Sequence, residues 1–179
     1  MNFYQEDFFH DRIVIGLNLT YQAFEVAYVV THHHSIVQEA IDHGEIVITS
    51  KHDISHPAHP EHNFTGGYYF YYHLDNGFIA VNVDEFDSEK VVVAGTPVIA
   101  AMHIAYKMGA RAIFLCGVDG GLIDDKMNYA TYPRMTQPGH PGRVESATRI
   151  VADEIRKRGV PVMSILPFIN AKLEGHKLT

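Results

Sequence analysis

The chain has 179 residues, 46% of them apolar and 20% charged, the proportions of one soluble globular domain with a substantial core. Its formal charge of −7 excludes a nonspecific nucleic-acid binder, which needs a basic face against the phosphates. The opening MNFYQEDFFHDR lacks the basic-then-apolar order of a secretory signal, no apolar run reaches the length of a membrane span, and a single cysteine excludes a disulfide framework, so a cytoplasmic protein is expected.

Residues 12–16 (RIVIG) read as a first strand, followed by the polar Asn18-Leu19-Thr20. Residues 26–30 (VAYVV) are a second strand ending at Thr31 and the triplet His32-His33-His34, part of an unusual total of 13 histidines. Residues 35–42 carry Ile36, Val37 and Ile41 at helical spacing, with Gly44 as a stop. Residues 45–49 (EIVIT) form a third strand that ends at Ser50. Residues 51–67, with Pro57, Pro60, Gly66 and several histidines, are predicted to be a long surface loop. Two strands, 68–74 (YYFYYHL) and 78–83 (FIAVNV), flank Asp75-Asn76-Gly77, and an Asn-Gly pair between such runs predicts a hairpin.

The stretch 91–121 carries the densest signal. Val91–Val93 reads as a short β-branched strand ending in the turn Ala94-Gly95. Thr96 suits the N-cap of a helix and Pro97 its first position, where a missing N–H costs nothing. That helix should run to about Met108 and stop at Gly109. Residues 112–116 are an uninterrupted apolar run, as in a parallel strand covered on both faces, which places Cys116 inside it. Asp119 follows at the strand's carboxyl end, the edge where open α/β sheets bind ligands. Residues 143–158 form an amphipathic helix with Val144, Ala147, Val151 and Ile155 on one face, stopped by Gly159. Residues 160–166 give a last strand, with Pro161 favouring an edge. The alternation predicts an open, mostly parallel α/β sheet of Rossmann type with helices on both faces. It reads as one domain over residues 1–179, with the loop and hairpin of residues 51–90 inserted.

The order GTP, helix, GA, strand, GVDGG, then a histidine-bearing loop, a helix and RGVPV resembles a Rossmann-like group. That group comprises the bacterial CMP-sialic-acid-dependent sialyltransferases, the flagellin-glycosylation (motility-accessory) proteins and the archaeal 6-hydroxymethylpterin diphosphokinases. The segment IGLNLTYQAF…AYVVT is similar to the group's strand, asparagine, strand pattern, and the resemblance covers residues 12–50 and 91–166. It implies that Asn18 lies close to a nucleotide and that Gly95-Thr96 lies near its sugar or phosphate. Asp119 matches the acidic residue after the central strand, Tyr129 and Tyr132 match tyrosines around the phosphate, and His140 of Gly139-His140 matches a general base. The chain departs from the group at its start. The glycine-rich first turn has no counterpart before residue 12, so it is expected to be absent, replaced or supplied by a partner.

The residues also carry a physical case of their own. In a parallel sheet Asn18, Thr31, His32, Ser50, Thr96 and Asp119 all follow strands or cap a helix, and should line one rim. Thr96 at a helix N-terminus suits an anion, though a plain N-cap explains it equally. Asp119 and Asn18 fit turns as well as sites. Tyr129 and Tyr132 can hydrogen-bond an anion, or can be ordinary surface tyrosines. His140 titrates near neutral pH and could take a proton from a sugar hydroxyl, with Arg143 nearby for a phosphate, although a histidine in a Pro/Gly loop is commonly just exposed. His52, His56, His59 and His62 offer imidazoles for a metal, but their spacing matches no established signature and two prolines oppose a helix, so no metal ligand is assigned. His103 reads as a hydrogen-bonded core histidine.

The expected function is nucleotide or nucleotide-sugar binding, extended to sialyltransferase-like glycosyl transfer with His140 as base. One alternative is a non-catalytic nucleotide-binding or assembly subunit that has lost the glycine-rich loop. Another is a metal-dependent hydrolase built on the 52–62 histidines. No cofactor is required, a divalent metal is compatible, and the aromatic run at residues 68–72 makes a homo-oligomer plausible.

Overall fold

The computed structural model describes residues 9–51, 64, 66–72, 74, 81–116 and 141–164, with the backbone alone for residues 34 and 141–145. The chain gathers into two compact units, residues 1–73 and 74–179.

In the first unit β1 (Ile15–Leu17), β2 (Tyr28–Thr31), β3 (Val47–Ser50) and β4 (Tyr68–Tyr71) pair in sequence order as an open, wholly parallel sheet. A 3₁₀ turn over Asn18–Gln22 connects β1 to β2, and α1 (His34–His43) connects β2 to β3. Strand and helix thus alternate as the sequence predicts, and the unit is of α/β class. Gly44 ends α1 at φ 98°; its N–H reaches the Ile41 carbonyl at 2.9 Å while the Glu45 N–H reaches that of Ala40 at 3.0 Å. This pair of bonds is the Schellman stop that glycine favours.

Register fixes the core. Val29 aligns with Val47 and Val47 with Tyr68, so these side chains share one face of the sheet, and Ile36, Val37 and Ala40 of α1 join Val29 and Val47 in one buried cluster with Tyr68 against it. Val30 and Ile48 point to the opposite face and are buried too, which is why these strands read as unbroken apolar runs.

β4 pairs on one side with β3. Residues 68–71 join β3 in parallel, from Val47 against Tyr68 to Ser50 against Tyr71. The predicted turn at residues 75–77 and the start of its second arm lie outside the described residues, and Val81–Val83 is irregular.

The second unit contains α2 (Pro97–Lys107), β5 (Ile113–Leu115), α3 (Pro141–Lys157) and β6 (Val162–Ser164), with β5 and β6 parallel. Thr96 caps α2 as predicted, its hydroxyl accepting the Val98 N–H at 3.3 Å, and Pro97 occupies the first position. The pair of bonds that ends α1 recurs after α2 and α3, through Gly109-Ala110 and Gly159-Val160. Ala147, Val151 and Ile155 of α3 lie on one helical face and join Ile99 and Met102 of α2, Ile113 and Leu115 of β5, Val162 of β6, Phe86 and Val92 in one core.

Two expectations need correction here. Val91–Val93 is fully buried but makes only an isolated bridge at Val91, whose carbonyl accepts the Leu74 N–H at 2.8 Å. Cys116 is exposed, because β5 ends at Leu115 and the apolar run outlasts the paired segment by a residue.

Candidate functional site

In the first unit β2 and β3 change character along their length. Both begin apolar, at Val29-Val30 and Val47-Ile48, and both finish polar, at Thr31-His32 and Thr49-Ser50. All eight of these side chains are buried. Burying hydroxyls and an imidazole costs free energy unless each is hydrogen-bonded. Concentrating them at one end of a parallel sheet marks the edge at which such sheets bind ligands.

The polar edge has two tiers. In the first, Thr31 Oγ1 donates to Asn18 Oδ1 at 2.9 Å and accepts the His33 N–H at 3.2 Å, while Thr49 Oγ1 donates to the Thr31 carbonyl at 2.8 Å. Asn18 sits directly after β1 at φ 52°, a left-handed conformation that Asn tolerates better than most residues. The bond to Thr31 holds it there. In the second tier His32 Nε2 is hydrogen-bonded to the Tyr71 hydroxyl, the two rings meeting edge-on with centroids 6.0 Å apart. Thr31 aligns with Thr49 and Ser50 aligns with Tyr71, so this bond passes across β3 at the level of Ser50. His32 and Tyr71 are only 5% and 7% exposed.

Of the residues singled out from sequence, the structure therefore brings together Asn18, Thr31, His32 and Ser50. Tyr71 was missed. It was one aromatic among five in a run read as a strand and oligomer contact, and only the register shows it to be the residue that ends β4 beside Ser50. The ending of a strand at a residue bearing a hydroxyl is the signal that could have found it.

Thr96 belongs to the second unit, where its hydroxyl serves as the N-cap of α2 and its N–H donates to the Val93 carbonyl at 3.0 Å. Ala94 and Gly95 precede it at φ 44° and 74°, a left-handed pair that turns the chain into the helix. Arg143 lies in the first turn of α3, its side chain outside the described residues, as are Asp119, Tyr129, Tyr132, His140, His52, His56, His59 and His62. Among the described residues no group of three or more His, Cys, Asp or Glu side chains is placed to hold a metal ion, and no helix is long and apolar enough to cross a membrane.

His103 is the core histidine that the sequence suggests, and it is fully buried. Its Nδ1 accepts the Val92 N–H at 2.8 Å and its Nε2 donates to the Phe86 carbonyl at 2.9 Å, which fixes the neutral tautomer. Burial, aided by the nearby Lys107 charge, lowers its pKa to about 4. The ring stacks on Phe86 with centroids 4.0 Å apart, and Phe86 carries the Arg158 guanidinium 4.6 Å from its own centroid. Arg158 binds Asp87 through Nε at 3.0 and 3.1 Å, and the Tyr106 hydroxyl donates to Asp87 at 2.8 Å. The Tyr106 and Arg158 hydrogen bonds hold the Asp87 carboxyl below its ordinary pKa. This network fastens the segment before α2 onto α2 and the end of α3; its members are already paired with one another.

Compared with known proteins, the chain matches no family model, no curated protein sequence and no solved structure, so the reading of the site rests on its own residues.

Proposed function

We propose that the protein binds a nucleotide or nucleotide sugar at the carboxyl edge of the β1–β4 sheet. The observation that carries this reading is the reversal of polarity within β2 and β3, together with the Asn18–Thr31 bond that it positions. In this reading Asn18 offers its amide N–H groups to ribose or base edges, and the buried Thr31 hydroxyl orients that amide by donating to its oxygen. The resemblance adds a transferase step in which the sugar's anomeric carbon leaves the donor phosphate for an acceptor hydroxyl oxygen. That resemblance, taken by itself, gives the proton of that hydroxyl to His140 and implies donor contacts for Gly95, Thr96, Asp119, Tyr129, Tyr132 and Arg143 of the second unit.

The test is a thermal-shift panel of CMP, CMP-sialic acid, UDP- and GDP-sugars, ATP and GTP. A ligand at a hundred times its Kd adds about 2.7 kcal/mol, or roughly 5–10 °C in Tm for a chain of this size. Thr31→Val keeps the shape of the side chain and removes its hydroxyl, so it should weaken the shift selectively. Absence of a shift with every nucleotide, or an unchanged shift in Thr31→Val, overturns the reading.

A further inference from the structure

An exposed aromatic ring on a sheet becomes informative once the register says what lies beside it. Phe70 points to the same face of β4 as Tyr68, two residues earlier. Tyr68 packs against the buried cluster that this face shares with α1, whereas Phe70 is 49% exposed. Thr49 aligns with Phe70 on one side and with Thr31 on the other, so one row across the sheet reads Thr31, Thr49, Phe70. Asn18, held by the Thr31 hydroxyl, extends that row towards β1 and is itself partly exposed. The row therefore ends in an accessible amide on one side and an accessible phenyl ring on the other. Adjacent strands stand about 4.8 Å apart, which sets β2 and β4 about 10 Å apart, a span comparable with a mononucleotide from base to phosphate.

The surroundings of Phe70 suit a flat ring. The Lys51 ammonium sits 4.6 Å from the Phe70 centroid and so lies over one face only, where its charge complements an anionic ligand. Tyr72, 48% exposed, meets the ring edge-on with centroids 6.0 Å apart. Nucleobases stack on such rings whatever their sequence, because every base has a π face. A second copy of the chain fits less well. Tyr69, at 64% exposure, alternates to the opposite face of β4, so the exposed aromatics do not merge into one patch. Phe70 and Tyr72 together expose roughly 150–250 Å², against about 800 Å² buried by each partner of a standard interface.

We propose that Phe70 is the platform on which the base of the bound nucleotide stacks, with the ribose reaching the Asn18 amide. This deepens the nucleotide reading above and rests on it for the class of ligand. The ligand meets the row only at its two exposed ends and passes over the buried Thr31 and Thr49 between them. Of the two partners open to Asn18, the ribose is then the one it contacts.

The experiment measures Kd by calorimetry on the full chain for CMP, for cytidine and for ribose 5-phosphate, which lacks the base. Phe70→Leu should weaken CMP and cytidine about five- to a hundredfold, the range for losing one stacked ring, and leave ribose 5-phosphate unchanged. Phe70→Tyr should retain the wild-type values. Because the chain has no tryptophan, Phe70→Trp supplies a lone indole. CMP and cytidine should quench its fluorescence on binding, and ribose 5-phosphate should not. If another nucleotide of the thermal-shift panel binds more tightly, it and its nucleoside replace CMP and cytidine. Equal weakening of all three ligands in Phe70→Leu, or an indole that does not respond to bound nucleotide, overturns the proposal. So does a wild-type dimer that Phe70→Leu converts to monomer in sedimentation velocity, which assigns the ring to a contact between copies. Nucleotide binding that Thr31→Val weakens and Phe70→Leu does not leaves the nucleotide reading standing and overturns the platform alone. No binding of any nucleotide overturns both.

Discussion

The buried imidazole of His103 makes the second unit's stability depend on pH in a calculable way. Its folded pKa is lowered to about 4 while an unfolded histidine titrates near 6.5. On acidification the unfolded chain therefore takes up the proton first. The stability contributed by the neutral ring is fully present above about pH 6.5, falls as pH drops from there, and levels off below the folded value. Integrating the two titrations gives a loss of about 2 kcal/mol by pH 5 and about 3 kcal/mol by pH 4, as an order of magnitude. His103→Gln supplies a carbonyl for the Val92 N–H and an amide N–H for the Phe86 carbonyl, without a titrating group. It should cost about 1–2 kcal/mol at pH 7.5 through imperfect packing against Phe86. The wild-type and variant curves should then cross between about pH 5 and 6, below which the variant is the more stable. The chain has no tryptophan, so urea unfolding is best followed by far-ultraviolet circular dichroism at a series of pH values. Parallel wild-type and variant curves down to pH 4 would refute the assignment of His103 as a neutral, buried anchor.

Other substitutions test other parts of the structure. Thr96→Ala should lower stability by about 1 kcal/mol through loss of the cap on Val98, and Thr96→Asp should restore most of it, both read as urea midpoints. Asn18→Gly should be milder than Asn18→Ala, by about 1 kcal/mol, since both lose the bond to Thr31 but only alanine is strained at a φ of 52°; equal costs would argue against the left-handed turn. Ile155→Ala empties a fully buried position between α3 and the rest of its core and should cost about 2–5 kcal/mol in chemical denaturation. Arg158→Met keeps apolar contact with Phe86 but gives up the guanidinium over that ring, the bridge to Asp87 and the bonds to Glu154, so it should cost about 1–2 kcal/mol in urea unfolding, less in high salt.

Much of this architecture is written in local signals. Thr96 before Pro97 and the glycines at 44, 109 and 159 state where helices begin and end, because capping is decided within a few residues. The apolar runs of β2, β3 and β5 state that both faces are covered. Asn18 and Thr31 were legible as candidates because Asn18 directly follows β1 and Thr31 ends β2. What stayed hidden depends on residues far apart in sequence. His103 is recognisable as a core histidine, but its partners, 11 and 17 residues away, lie in a segment with no regular pattern. Tyr71 cannot be told from Tyr69 or Tyr72 until the strand is registered against Val47–Ser50.

The order of strands in the first sheet bears on how the chain reaches its fold. Each strand pairs with the one made just before it, and none must be threaded between two that are already joined. As the polypeptide leaves the ribosome the ladder can lengthen at one side only, β2 onto β1, β3 onto β2 and β4 onto β3, without undoing an earlier pairing. Such vectorial growth keeps loop closures short and confines new pairing to one growing edge at any moment during synthesis.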